Sequence, residues 1–179
     1  MKSIKTLIFF LLLFLMQVGF AETDKFDFVR DHPIRTEEFS KFGMVQITND
    51  GSVFLDGKIL LKGNIEKDDW GGTVDYQIAD QQYDQTSSRV EVQAYGRKYM
   101  NWHVLRLVLV ARSQNPVFYR ILDLTGEKPF ISESFGKDGH WADELKNTKW
   151  GKNRTLIQMK YGMEYLYTKG KIIDGPFGK

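Results

Sequence analysis

The chain has 179 residues, 42% of them hydrophobic and 14% aromatic, and no cysteine. This composition excludes a disulfide framework, thiolate zinc and a cysteine nucleophile, and it leaves burial alone to hold the fold together. Basic and acidic residues nearly balance, 25 against 23, with no basic block, so nucleic acid and anionic membrane surfaces are excluded as partners on charge.

The first residues, MKSIKTLIFFLLLFLMQVGFAET, have the three-part layout of a secretory signal peptide. Lys2 and Lys5 form the positive end, an apolar run follows from Leu7 to Phe20, and Gly19 and Ala21 suit a cleavage site. The run is shorter than the roughly 20 apolar residues of a spanning helix. Residues 1–21 are therefore expected to direct export, and residues 22–179 to form a single β-rich domain in the periplasm or outside the cell. Lys2 and Lys5 would leave with the leader, and no acidic residue would. The mature chain would then carry 23 charges of each sign and be formally neutral.

Along HPIRTEEFSKFG, Pro33 suits a first helical position, Phe39 and Phe42 share a helical face, and Gly43 would end it, so a short helix is expected there. After Gly43 the period changes to two. GMVQIT and SVFLDGKILL read as strands, with Asp56-Gly57 as a tight hairpin turn. TVDYQIA places Val74, Tyr76 and Ile78 on one face, and SRVEVQAY does the same with Val90, Val92 and Ala94. The polar stretch between them, ADQQYDQTSS, reads as a loop.

In WHVLRLVLVAR both faces are mostly apolar, which predicts a strand covered on two sides. Strict alternation puts His103, Leu105, Leu107, Leu109 and Ala111 on one face, and Val104, Arg106, Val108 and Val110 on the other. PVFYRILDL and FISESF continue a meander. HWADELKN predicts one or two helical turns, and RTLIQMKYG, MEYLYT and KIIDG restore the strand period, with Gly162 and Lys169-Gly170 supplying the turns. The whole reads as a mainly β fold, a single antiparallel sandwich or barrel-like domain of about ten short strands with one or two short helices.

Chemistry is sparse. There is no G-x-S-x-G elbow, and His32, His103 and His140 are scattered without metal-ligand spacing. Asp68, Asp69 and Asp138 lack the donor spacing of a calcium loop and read as turn carboxylates. No cofactor, metal or catalytic set is expected. His103 reads as a locally bonded residue at a strand end.

Aromatic placement carries more. Trp70, Trp141 and Trp150 fall in polar, glycine-bearing connections, DDWGG, DGHWADE and TKWGKN, where an indole either caps a core or anchors a partner. Tyr83, Tyr95 and Tyr99 have similarly polar surroundings. With Asp68, Asp69, Asp143 and Glu144 as an acidic rim, these residues are expected to form the binding surface.

The resulting expectation is an exported, non-catalytic protein that recognises another protein or an envelope component, in one version an inhibitor or immunity protein. The alternative is an exported hydrolase of glycans or peptides. It would use His103 or His140 as base, with His140 and Asp143 on one side of a helical turn, or a carboxylate pair from Asp138, Asp143 and Glu144.

Overall fold

The computed structural model describes residues 33–177, apart from 65, 66, 69, 95, 139 and 140. The predicted leader, His32, Asp69, Tyr95 and His140 lie outside the described residues. The rest is strand and turn. In chain order the strands are β1 (Ile34–Ser40), β2 (Gly43–Thr48), β3 (Val53–Leu55), β4 (Lys58–Leu61), β5 (Asp75–Asp84), β6 (Val90–Ala94), β7 (Arg97–Asn101) and β8 (His103–Arg112). Then follow β9 (Pro116–Asp123), β10 (Phe130–Ile131), β11 (Lys137–Asp138), β12 (Trp141–Ala142), β13 (Leu145–Trp150), β14 (Arg154–Met159), β15 (Glu164–Thr168) and β16 (Lys171–Asp174).

A first sheet has the order β4-β3-β2-β1-β6-β7, a second β10-β9-β8-β5 and a third β13-β14-β15-β16, with β11 and β12 as a small pair. Between the first and second sheets lies one core, built on Val45, Ile47, Val53 and Leu55 facing Leu107, Leu109, Ala111 and Leu122. A second core joins the other side of the middle sheet, through Val108, Val110, Tyr119 and Ile121, to Ile157, Met159, Tyr165 and Tyr167. The two-sided apolar run from His103 to Arg112 is thus a middle-layer strand, buried on both faces as its composition requires.

Alternation along that strand holds only in part. Gln82 pairs with Arg106 and Tyr83 with Val104, so Leu105 is an extra residue opposite β5. Such a bulge inverts the faces of everything beyond it. Val104 accordingly joins the first core with Leu107, not the second with Val108. A second register shift, between Ile78 and Asp80, bends β5. Between them these irregularities let β5 run ten residues, to Asp84, through the segment expected to be a loop.

Neither predicted helix forms. Ile34–Ser40 is strand β1, next to β2 in its sheet, and Glu37 accepts a 3.0 Å bond from Gln46 of β2. Ser40 Oγ closes the following turn by accepting from the Phe42 N–H and donating to the Gly43 carbonyl. The second segment becomes β12 and β13, because its backbone bonds reach distant partners. Tyr119 Oη donates to the Asp143 carbonyl at 2.9 Å and accepts from the Leu145 N–H at 3.1 Å, while the Lys160 N–H donates to the Glu144 carbonyl. A single helical turn is marginal by itself and does not compete with these long-range bonds.

The hairpin expectations hold. Asp56 and Gly57 have φ of 49° and 76°, and Lys169 and Gly170 have 48° and 79°, the paired positive angles of two-residue turns that match strand twist.

Candidate functional site

The first cleft lies at the β8–β9 end of the middle sheet, about 400 Å³, lined by Asp68, Trp70, Gly72, Ser113, Gln114, Asn115 and Val117. Asp68 builds it. One carboxylate oxygen accepts from the Trp70 and Gly72 N–H groups at 3.0 and 2.7 Å, and the other accepts from Ser113 Oγ at 2.6 Å. Gly71 takes a φ of 82°, and Lys67 and Thr73 bridge the base of the loop. The backbone is held in this way while the Trp70 side chain remains 60% exposed.

The other predicted residues are placed elsewhere. Trp141 contributes its backbone to β12, paired with Asp138. Trp150 ends β13, half-buried against the second core. Asp143 Oδ2 accepts from the Tyr161 N–H at 2.6 Å, and Glu144 pairs with Lys160 at 3.1 Å, so these two brace the β14–β15 turn. Trp150 lies at the far end of β13 from them, roughly 20 Å along the chain at about 3.3 Å per residue. Trp70 and Asp68 thus share a cleft, Asp143 and Glu144 share a corner, and Trp150 belongs to the core.

Ser87, His103 and Asp84 do gather where β5 meets β8, but their bonds are not those of a catalytic triad. Ser87 Oγ donates to the Asp84 carbonyl at 2.7 Å and accepts from the His103 backbone N–H at 2.9 Å. The Asp84 carboxylate receives the Thr86 hydroxyl and N–H, which hold it below the usual carboxylate range with a smaller contribution from His103. The His103 ring leans on Phe39, centroids 5.1 Å apart. The local-bonding reading of His103 matches this geometry, since nothing here aligns the hydroxyl with the imidazole.

Sequence reasoning missed a second cleft, of about 440 Å³, between the first two sheets. It opens where β1 and β6 share a single registered pair, Thr36 with Ala94, beside the β6–β7 hairpin. Its wall includes Arg35 and Glu38 from β1, Gln77, Ile78, Gln81 and Tyr83 from β5, and Tyr99 and Asn101 from β7. Glu38 is 6% exposed. One of its oxygens accepts from Tyr83 Oη at 2.9 Å, and the other has no hydrogen-bond partner among the described residues. Gln81 donates to the same phenol oxygen at 3.1 Å.

Burial pushes the Glu38 carboxyl up, against the lowering effect of its bond from Tyr83. Burial and the neighbouring Glu38 charge together push the Tyr83 phenol far above its usual value. Glu38 escaped notice because a helical reading of its segment disperses Thr36, Glu38 and Ser40. A strand reading puts all three on one face.

A third polar cluster is structural. Arg106, 4% exposed, donates to Asp123 Oδ2 at 3.1 Å, to Gln82 Oε1 at 3.0 Å and to the Gly151 and Lys152 carbonyls at 2.9 Å each. Tyr167 Oη donates to the same Asp123 oxygen at 2.8 Å. The cluster ties β5, β8 and β9 to the β13–β14 turn and to β15.

Compared with protein-family models, with curated proteins and with solved structures, the chain matches none of them.

Proposed function

We propose that this protein is exported and acts as a non-catalytic binding protein that recognises another protein, with Trp70 as the anchor of its contact surface. An inhibitor or immunity protein is the concrete form of this reading. The observation that carries it is the Trp70 loop: a large indole, 60% exposed, on a backbone already fixed by Asp68 and Ser113. A preorganised aromatic beside a cleft loses little freedom on docking, and such residues dominate binding energy at interfaces. The hydrolase alternative has weaker support, because Asp143 and Glu144 are held by the Tyr161 N–H and Lys160, and Ser87 meets His103 only through its backbone N–H, not its imidazole.

The test begins with capture from envelope extract, followed by identification and reconstitution with the purified partner. Trp70→Ala should weaken that reconstituted complex by about 2 kcal/mol or more, roughly thirtyfold in Kd, with the unfolding midpoint unchanged. Wild-type affinity in a folded Trp70→Ala variant would end the proposal. So would a turnover activity that His103→Ala abolishes without unfolding the protein.

A further inference from the structure

We infer that the cleft between β1, β5 and the β6–β7 hairpin binds a small organic cation, an ammonium or guanidinium group, with the unpartnered oxygen of Glu38 as its acceptor. This is a second site, separate from the Trp70 surface and independent of the reading given to it.

The argument starts from hydrogen-bond completeness. Buried carboxylate oxygens are almost always paired, and a buried oxygen without a donor calls for one from outside the fold. Two donors of the cleft point elsewhere: Arg35 reaches the Tyr76 carbonyl at 2.7 Å, and Gln81 donates to Tyr83, so neither satisfies that oxygen. Ammonium and guanidinium groups are donors only and carry the complementary charge, so they form the stronger, charge-assisted bond.

The remaining lining suits such a group. Tyr83 and Tyr99 bring two aromatic rings to the cleft, the second 46% exposed, and the face of a phenol attracts a cation. Ile47, Ile78, Val92 and Ala94 supply an apolar wall for an alkyl stem. A volume of about 440 Å³ is within the range of small-ligand sites. The unpartnered oxygen is covered by its neighbours, so entry needs a side-chain rearrangement of the kind that commonly accompanies binding.

The titratable and charged groups lining the cleft are Glu38 and Arg35 on β1, Tyr83 on β5 and Tyr99 on β7. Burial holds the Glu38 carboxyl above its ordinary range, and a bound cation would draw it back down. Binding should therefore strengthen as pH rises through the Glu38 titration.

The experiment is titration of the purified protein with n-butylammonium and n-butylguanidinium chlorides near neutral pH, followed by calorimetry and by backbone amide NMR. Saturable one-to-one binding is expected, with shifts gathered at Gln77, Gln81, Val92, Tyr99 and Asn101. The side-chain carboxyl carbon of Glu38 should titrate at lower pH in the bound form. Glu38→Gln should weaken binding by roughly tenfold or more, and n-butanol, equal in length but uncharged, should not compete.

Tyr99→Ala removes an exposed ring, should leave the fold intact and should weaken binding severalfold; if Glu38→Gln does not fold, this variant and the Glu38 carboxyl titration decide. No saturation, shifts outside the cleft, equal binding of n-butanol, or unchanged affinity in folded Glu38→Gln would each overturn the inference. Trp70→Ala should leave this binding untouched, so the two sites fail or stand separately.

Discussion

Arg106 offers the sharpest test of how the sheets are held together. Arg106→Met keeps most of the alkyl stem and removes the guanidinium, isolating the polar contribution from simple loss of packing. What remains is Asp123, whose side chain is 13% exposed and keeps its bonds from Thr125 and Tyr167 but loses its countercharge, together with two backbone carbonyls and the Gln82 amide oxygen that lose their Arg106 donor. Breaking one side of a buried, hydrogen-bonded ion pair costs about 3–5 kcal/mol, because the surviving charge stays desolvated. For a domain of this size that corresponds to a fall of roughly 10 °C or more in Tm. Denaturant unfolding of the purified protein should show the midpoint falling at constant slope.

Asp123→Asn should cost a comparable amount, since its one amide oxygen can keep either the bonds from Thr125 or those from Arg106 and Tyr167, which use the other carboxylate oxygen, but not both. The double variant should be more stable than the sum of the two losses predicts, by about 1 kcal/mol or more, as expected for residues in direct contact. If Arg106→Met lies within about 1 kcal/mol of the wild type, the cluster does not hold the third sheet to the second and the reasoning fails.

Acid should expose the same cluster. Burial alone would raise Asp123, but the bonds from Thr125 and Tyr167 and the charge of Arg106 outweigh it, and its carboxyl lies below the ordinary value. A lowered folded value means stability that is complete above pH of about 4 and lost as pH falls through the folded titration; Asp123→Asn should flatten that part of the stability curve. Tyr119→Phe removes both bonds to the β12–β13 corner and should cost about 1–3 kcal/mol by denaturant unfolding. In the intact protein its phenol is pushed up to about 12 by burial, and burial raises Tyr83 and Tyr167 as well, so ultraviolet titration should show at least three tyrosines fewer ionising near pH 10 than in the unfolded chain, and two fewer in Tyr119→Phe. Trp150→Ala should lower the unfolding free energy by about 1–3 kcal/mol in denaturant titration, whereas Trp70→Ala should stay within about 0.5 kcal/mol; equal effects would mean that the two indoles have the same role. Gly63→Ala should be severely destabilising, because its new methyl carbon would lie 2.0 Å from the Asp50 carbonyl oxygen, and a normal midpoint would refute that packing.

Local pattern was enough for much of the architecture. Two-residue alternation announced β2, β6, β14 and β15, the Asp56-Gly57 and Lys169-Gly170 pairs announced their hairpins, and the doubly apolar run announced a strand with a layer on each face. These signals are legible because side-chain period and turn chemistry act over a few residues. What the tertiary structure decided is of longer range. Tyr119 claims the backbone of Asp143 and Leu145, 24 and 26 residues away, and makes a corner where local periodicity favoured a helix. The extra residue Leu105 moves Val104 from one core to the other, and no composition rule marks it. Glu38 and Tyr83 meet across 45 residues of chain, and only the packing of β1 against β5 makes one carboxylate buried and half-satisfied. Burial is a property of layers, not of sequence neighbours, so the pleat could be read along the chain while the clefts required the sheets to be assembled.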